Sequence, residues 1–187
     1  MKKLISDEYR SMNRALHELP RYGTQGHKFA DYIYRLIINN DVKTTLDYGC
    51  GKGTLKAALR KLGLTCRVYE YDPAVPGRLK CPEEVDLVVC TDVLEHVEPD
   101  YLDNVISHIA RIGKKAAFIT VHNMPAAKTL ADGRNAHLIQ ETPEWWSSKL
   151  SDWFNVQQQA VDYRGEGSSI YRTRFLLTPR GRDSESP

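Results

Sequence analysis

The 187-residue chain has four cysteines, at positions 50, 66, 81 and 90, and no Cys-x-x-Cys pair. That excludes a disulfide-stapled scaffold and a zinc-ribbon site; reduced thiols in a cytoplasmic protein are the expectation. No apolar run approaches membrane-spanning length. The start carries two lysines and then Ser6-Asp7-Glu8-Tyr9-Arg10, without an apolar h-region, so neither a secretory leader nor a membrane anchor is expected. Excess charge of one sign is also missing. Twenty-six basic and 24 acidic residues leave +2, too little to indicate a nucleic-acid partner by itself. Internal repeats are absent, and nothing in the sequence fixes an oligomeric state. The length fits one globular domain with a real core, over residues 1–179, followed by a polar tail at 180–187 expected to be disordered.

What is present concentrates in Leu46-Asp47-Tyr48-Gly49-Cys50-Gly51-Lys52-Gly53-Thr54-Leu55. An apolar approach, an acid, three glycines at alternate positions and a helix-forming run predict a strand, a tight turn and a helix start. Glycines there permit positive φ and close approach of a ligand to the backbone. Free N–H groups at the helix start favour ligand oxygens, and the Asp47 carboxylate suits a ligand ammonium. An amino-acid-like ligand fits this mixture better than a pyrophosphate. Val68-Tyr69-Glu70-Tyr71-Asp72-Pro73 reads as a second strand ending in an acid about 20 residues on, where a ribose-binding carboxylate belongs in a Rossmann-like unit. Asp86 to Asp92 reads as a third, buried strand. Thr91, Asp92 and the following Val-Leu-Glu-His lie at its C-terminal end, the edge where open α/β sheets bind ligands.

Around this centre the pattern predicts helices over 6–19, with Ser6 as N-cap, and over 27–39, 53–62 and 99–111. Residues 1–40 form N-terminal helices suited to a lid. Strands are predicted at 44–48, 66–71, 86–91 and 116–121. A long excursion, 122–146, leaves the ligand edge and runs into a helix with Thr142 as N-cap and Pro143 at its first position. Trp145, Trp146 and Trp153 are placed on that helix, with Trp145 turned towards the pocket. Residues 156–163 and 168–177, around Gly165-Glu166-Gly167, form a closing hairpin on which Arg172 and Arg174 share a face.

The glycine turn, Asp72 and Asp-Val-Leu-Glu-His together resemble the class I S-adenosylmethionine-dependent methyltransferases, over roughly residues 22 to 178. The resemblance implies a Rossmann-like, mostly parallel seven-stranded α/β sheet with a C-terminal reversed β-hairpin. The short stretch between Asp72 and Asp86 leaves the third strand reduced to something near Leu79-Lys80-Cys81. It also implies that Asp47, Gly49, Gly51 and Gly53 hold the methionine end of S-adenosyl-L-methionine, that Asp72 binds the ribose hydroxyls, and that Thr91 and Asp92 belong to the same cofactor site. S-adenosyl-L-homocysteine would be the product. A nicotinamide dehydrogenase would typically carry Gly-x-Gly-x-x-Gly, and here the third glycine comes one residue early.

The acceptor is less legible. His122 and Asn123 end a strand beside the substrate position, and Arg134, Asn135 and His137 follow in the excursion. A neutral imidazole at His137 or His122 can take a proton as the methyl moves, and Asn123, Arg134, Asn135 and Trp145 are the candidates for holding the acceptor. No Asn/Asp-Pro-Pro-Tyr follows the 86–91 strand, which argues against amino methylation of DNA bases. Cys81-Pro82 has the wrong order for cytosine C5 attack. A small molecule, sugar or nucleotide-like acceptor is therefore expected. Two alternatives stand beside it. Small-RNA terminal 2′-O-methyltransferases carry Glu-x-x-Glu-His here and a later histidine, which together coordinate a divalent cation. This chain has Asp92, Glu95, His96 and then His122 or His137, with Asp in place of the first Glu. A non-catalytic cofactor-binding module would keep the glycine turn and Asp72 alone. Because an ordinary post-strand helix accounts for Asp92, Glu95 and His96, transfer without a metal is the expectation.

Overall fold

The computed structural model describes residues 2–164 and 169–181. The expected hairpin tip at 165–167 and nearly all of the expected disordered tail lie outside the described residues. Six strands form one mixed sheet: β1 (Thr44–Tyr48), β2 (Arg67–Tyr71), β3 (Val85–Thr91), β4 (Gly113–His122), β5 (Phe154–Arg164) and β6 (Ser169–Pro179). Their order is β2-β1-β3-β4-β6-β5. The first four run parallel, and the β5–β6 hairpin is antiparallel, with β6 also antiparallel to β4.

Alternation along the strands divides the core. On β3, Val88 and Cys90 face α4 (Leu102–Ile112) and α5 (Pro143–Ser151). Leu87 and Val89 face α2 (Ala30–Asn39) and α3 (Thr54–Lys61). Successive side chains point to opposite faces of a strand, so helices cover both faces of the central strands, whose buried side chains are mostly apolar. Ile106 and Ile109 of α4 are wholly buried, each contributing about 1.5–3 kcal/mol of transfer free energy. A third cluster stands apart from the sheet. Ile5, Tyr9 and Leu16 around α1 (Asp7–Glu18) pack on Leu130 and Ala136 of the excursion. Ser6 caps α1 by accepting the Tyr9 N–H at its hydroxyl.

Among the described residues the sheet has six strands where seven were expected, and none forms near Leu79-Lys80-Cys81. Pro73, Pro76 and Pro82 remove three ladder donors from this short connection. The chain instead closes a turn, with the Val75 N–H donating to the Asp72 carbonyl and the Asp72 N–H to the Arg78 carbonyl. That turn drops the Arg78 guanidinium against the Gly51 carbonyl and Cys50 Sγ.

Candidate active site

A cavity of about 610 Å³ opens at the C-terminal ends of β1, β3 and β4, within the roughly 300–1,000 Å³ usual for small-molecule sites. One wall is the glycine turn. Gly49, Gly51 and Gly53 all have positive φ. At Gly49 a Cβ would lie 2.4 Å from the Val93 side chain, and at Gly51 it would lie 2.5 Å from the Gly23 carbonyl. The turn is thus clamped between Val93 at the β3 end and Gly23 of the N-terminal segment. The Lys52 N–H donates to the Gly23 carbonyl at 2.8 Å. Asp72 accepts the Gly51 N–H at 3.0 Å and the Ala74 N–H at 2.9 Å, with His17 Nε2 3.7 Å away. Asp47 is buried beneath the turn. Burial and the neighbouring Glu70 carboxylate push its pKa up to about 7.

The opposite wall is a ladder of rings. Centroids run His17–Tyr22 at 4.9 Å, Tyr22–His96 at 6.0 Å, His96–His137 at 4.7 Å, His137–His122 at 5.1 Å and His122–Tyr171 at 5.4 Å. Burial lowers the pKa of His96 and His122 to about 4, and lowers that of His137 as well. All three are neutral near pH 7 and able to accept protons. Behind them Glu95 is completely buried, and its carboxyl is held well above the usual range by desolvation and by Asp92. Glu95 Oε1 accepts the His122 N–H at 2.8 Å. Asp92 sits between the two walls at φ +54°. Its carboxylate receives Arg172 Nε at 3.0 Å, an Arg172 terminal N–H at 2.6 Å and the Thr120 hydroxyl at 2.7 Å.

A family signature described as a methyltransferase domain matches residues 17–163, well over half of the chain. The chain belongs to the methyltransferase domain family. No curated protein matches the methyltransferase at the level of sequence, but solved structures match its fold. The Burkholderia thailandensis 1,6-didemethyltoxoflavin-N1-methyltransferase, solved with 1,6-didemethyltoxoflavin and S-adenosylhomocysteine, is 15% identical. The match covers 95% of this chain and 93% of that one, at a TM-score of 0.68. Coclaurine N-methyltransferase with N-methylheliamine and S-adenosylhomocysteine is 11% identical, covering 95% and 84%, at 0.65. The N-methyltransferase NodS from Bradyrhizobium japonicum WM9 with S-adenosylhomocysteine is 16% identical, covering 92% and 99%, at 0.58.

Among the residues predicted for the methyltransferase's cofactor, Asp47, Gly49, Asp72, Thr91 and Asp92 border the cavity. Gly51 and Gly53 do not; they face Gly23 and the Glu70–Arg78 pair instead. His122 and His137 both border the cavity. The four residues predicted to hold the acceptor lie elsewhere. Asn123 staples the excursion down, with Nδ2 on the Glu141 carbonyl and Oδ1 receiving the Thr173 hydroxyl. Asn135 Oδ1 takes the Ala126 and His137 N–H groups, which fixes the His137 backbone. Arg134 is exposed and its guanidinium is on Asp132. Trp145 packs edge-on to Trp146 against the core, and Trp153 falls just beyond the end of α5. Asp92, Glu95 and His96 do not share an α-helical face, because only a 3-10 turn over Leu94–His96 forms there. Sequence reasoning did not place His17, Tyr9 and Asn13 of α1 at the cavity. The amphipathic pattern of α1 identifies its buried side but not the part of the fold it covers.

Proposed function

We propose that the protein transfers the methyl group of S-adenosyl-L-methionine to a small-molecule acceptor. The observation that carries this reading is one cavity shared by Gly49, Asp47 and Asp72 on one wall and by neutral imidazoles on the other. The cofactor's amino-acid end lies against Asp47 and the glycine turn, and Asp72 receives the ribose hydroxyls. The sulfonium already activates its methyl. The chain's part is to align the acceptor, keep water out and take up a proton. His137 is the first candidate for that proton and His122 the second. Asn135 acts as a positioning residue on His137 by accepting its backbone N–H, and Asn123 on the adjoining His122 through the Thr173 hydroxyl and the Glu141 carbonyl. The toxoflavin and alkaloid enzymes with the same fold act on small molecules by name, and a cavity of this size suits such an acceptor.

Labelled cofactor incubated with a metabolite extract is the test, and the mass of the labelled product names the acceptor class. His137→Ala should lower turnover by about 10²–10⁴-fold with cofactor affinity nearly intact, and its pH–rate profile should lose the acidic limb. Wild-type kinetics in His137→Ala would remove His137 from the site and leave His122 as the base.

A further inference from the structure

The ladder of rings contains a set of donor atoms of which the methyl-transfer reading uses only His137. Glu95, His96 and His137 each offer a ligand atom within 4.8 Å of the other two. His96 Nδ1 lies 2.7 Å from the Ala136 carbonyl oxygen, and His137 Nδ1 lies 2.5 Å from that of Met124. A carbonyl only accepts, so both Nδ1 atoms carry hydrogen and both Nε2 atoms present a lone pair. Glu95 Oε2 is buried and has no hydrogen-bond partner. A fully buried carboxyl oxygen without a partner, in a cluster with two imidazoles whose free nitrogens are not tied to the backbone, gathers three ligand atoms at one place. Imidazoles tied through Nδ1–H to backbone carbonyls are also the usual outer support of metal-bound histidine.

We propose that Glu95, His96 and His137 bind a divalent transition-metal cation, with its open positions facing the cavity. Two imidazoles and one carboxylate suit zinc, manganese, iron(II) or cobalt better than magnesium or calcium, which favour all-oxygen sites. Asp92 is not a ligand, because Arg172 and Thr120 occupy its carboxylate oxygens. The set therefore differs from the acid-rich one of the terminal-RNA enzymes, and it reverses the expectation of a metal-free site. His96 and His137 border the cavity, so the open positions meet an acceptor there; this role rests on the proposed function. The acceptor it fits is an alcohol or phenol. Its oxygen coordinates the cation and, because His137 Nε2 is then a ligand and no longer free as a base, its O–H proton passes to the second candidate, His122. The O–CH3 bond then forms as the S–CH3 bond breaks, and the sulfur leaves as a neutral thioether.

The test reads metal binding alone, so it is separate from methyl transfer. Tag-free, chelator-stripped protein is titrated with cobalt(II) by visible absorption and with zinc by calorimetry. One equivalent per chain with cobalt d–d bands is expected. Glu95→Gln, which keeps the shape of the side chain, and His137→Ala should each weaken binding by about 10- to 100-fold or more. His108→Gln, a buried imidazole outside the cavity, should leave the titration unchanged. Absence of bands and heat at millimolar metal would overturn the proposal. So would full-affinity binding in folded Glu95→Gln, with folding checked by circular dichroism.

Discussion

Asp72 accepts two backbone N–H groups, one on each oxygen, and each carboxylate oxygen keeps a further lone pair for a ribose hydroxyl. Asp72→Ala should weaken S-adenosylmethionine binding by about 1.5–3 kcal/mol, the range for hydrogen bonds to a charged group, as read by calorimetry. A second residue gives a prediction about pH. His108 is buried on α4 with Nδ1 3.0 Å from the Tyr48 hydroxyl, and burial lowers its pKa from 6.5 to about 4. Between those values the unfolded chain binds a proton that the folded chain refuses. The contribution of a neutral His108 is thus complete above pH 6.5 and is lost as pH falls towards 4, by at most about 1.4 kcal/mol per pH unit. His108→Gln removes that slope. Its stability relative to wild type, measured by urea unfolding, should improve steadily from pH 6.5 to 4. A constant difference would mean that His108 is protonated in the folded protein.

Among the elements, α1 and the 122–141 excursion behave as a cap. They share their own cluster, Ile5, Tyr9, Leu16, Leu130 and Ala136, and they reach the rest of the fold through polar ties, including the Ser6 N–H on Glu98 and Lys52 Nζ on the His17 carbonyl, with Leu4 and Ile139 packed on the main core. Removing residues 1–20 should therefore strip hydrogen-exchange protection from amides at 130–139 and leave β1 to β4 protected. Equal loss in both regions would show the cap to be part of the sheet's own cooperative unit. Elements with strong local signals are legible in the sequence: β3 reads as a buried strand from its apolar run, and α5 reads as a helix from Thr142 and Pro143. The turn after Asp92 is not. A helix is the local expectation there, but Asp92 takes positive φ so that its carboxylate can meet Arg172, 80 residues away. Pro99 then holds Glu98 extended. Neither the partner nor the φ is written in the local pattern. The ring ladder is hidden for the same reason. His17, His96, His122 and His137 come from four separate segments, and only the topology brings them together.

At the scale of the whole molecule, a ligand that binds only the folded chain raises its stability by mass action. At about 100 times its dissociation constant, S-adenosylmethionine should add about 2.7 kcal/mol. For a domain of this size each kcal/mol is worth about 2–4 °C, so the melting temperature should rise by about 5–11 °C. S-adenosylhomocysteine should act in the same way. NAD should produce no comparable rise, because in the proposed site Asp47 and Gly49 take an amino-acid end and not a pyrophosphate. In Asp72→Ala the rise at the same cofactor concentration should shrink to less than about half, since a loss of about 1.5 kcal/mol or more in affinity comes directly off the stabilisation. Gly51→Arg should abolish it. A side chain there has no room against the Gly23 carbonyl, and the contact between Gly23 and the turn opens even where the sheet survives. An equal rise with NAD, or an undiminished one in a folded Gly51→Arg protein, would remove the glycine turn from the cofactor site. The excursion and its imidazoles would then have to be explained without a methyl donor beside them.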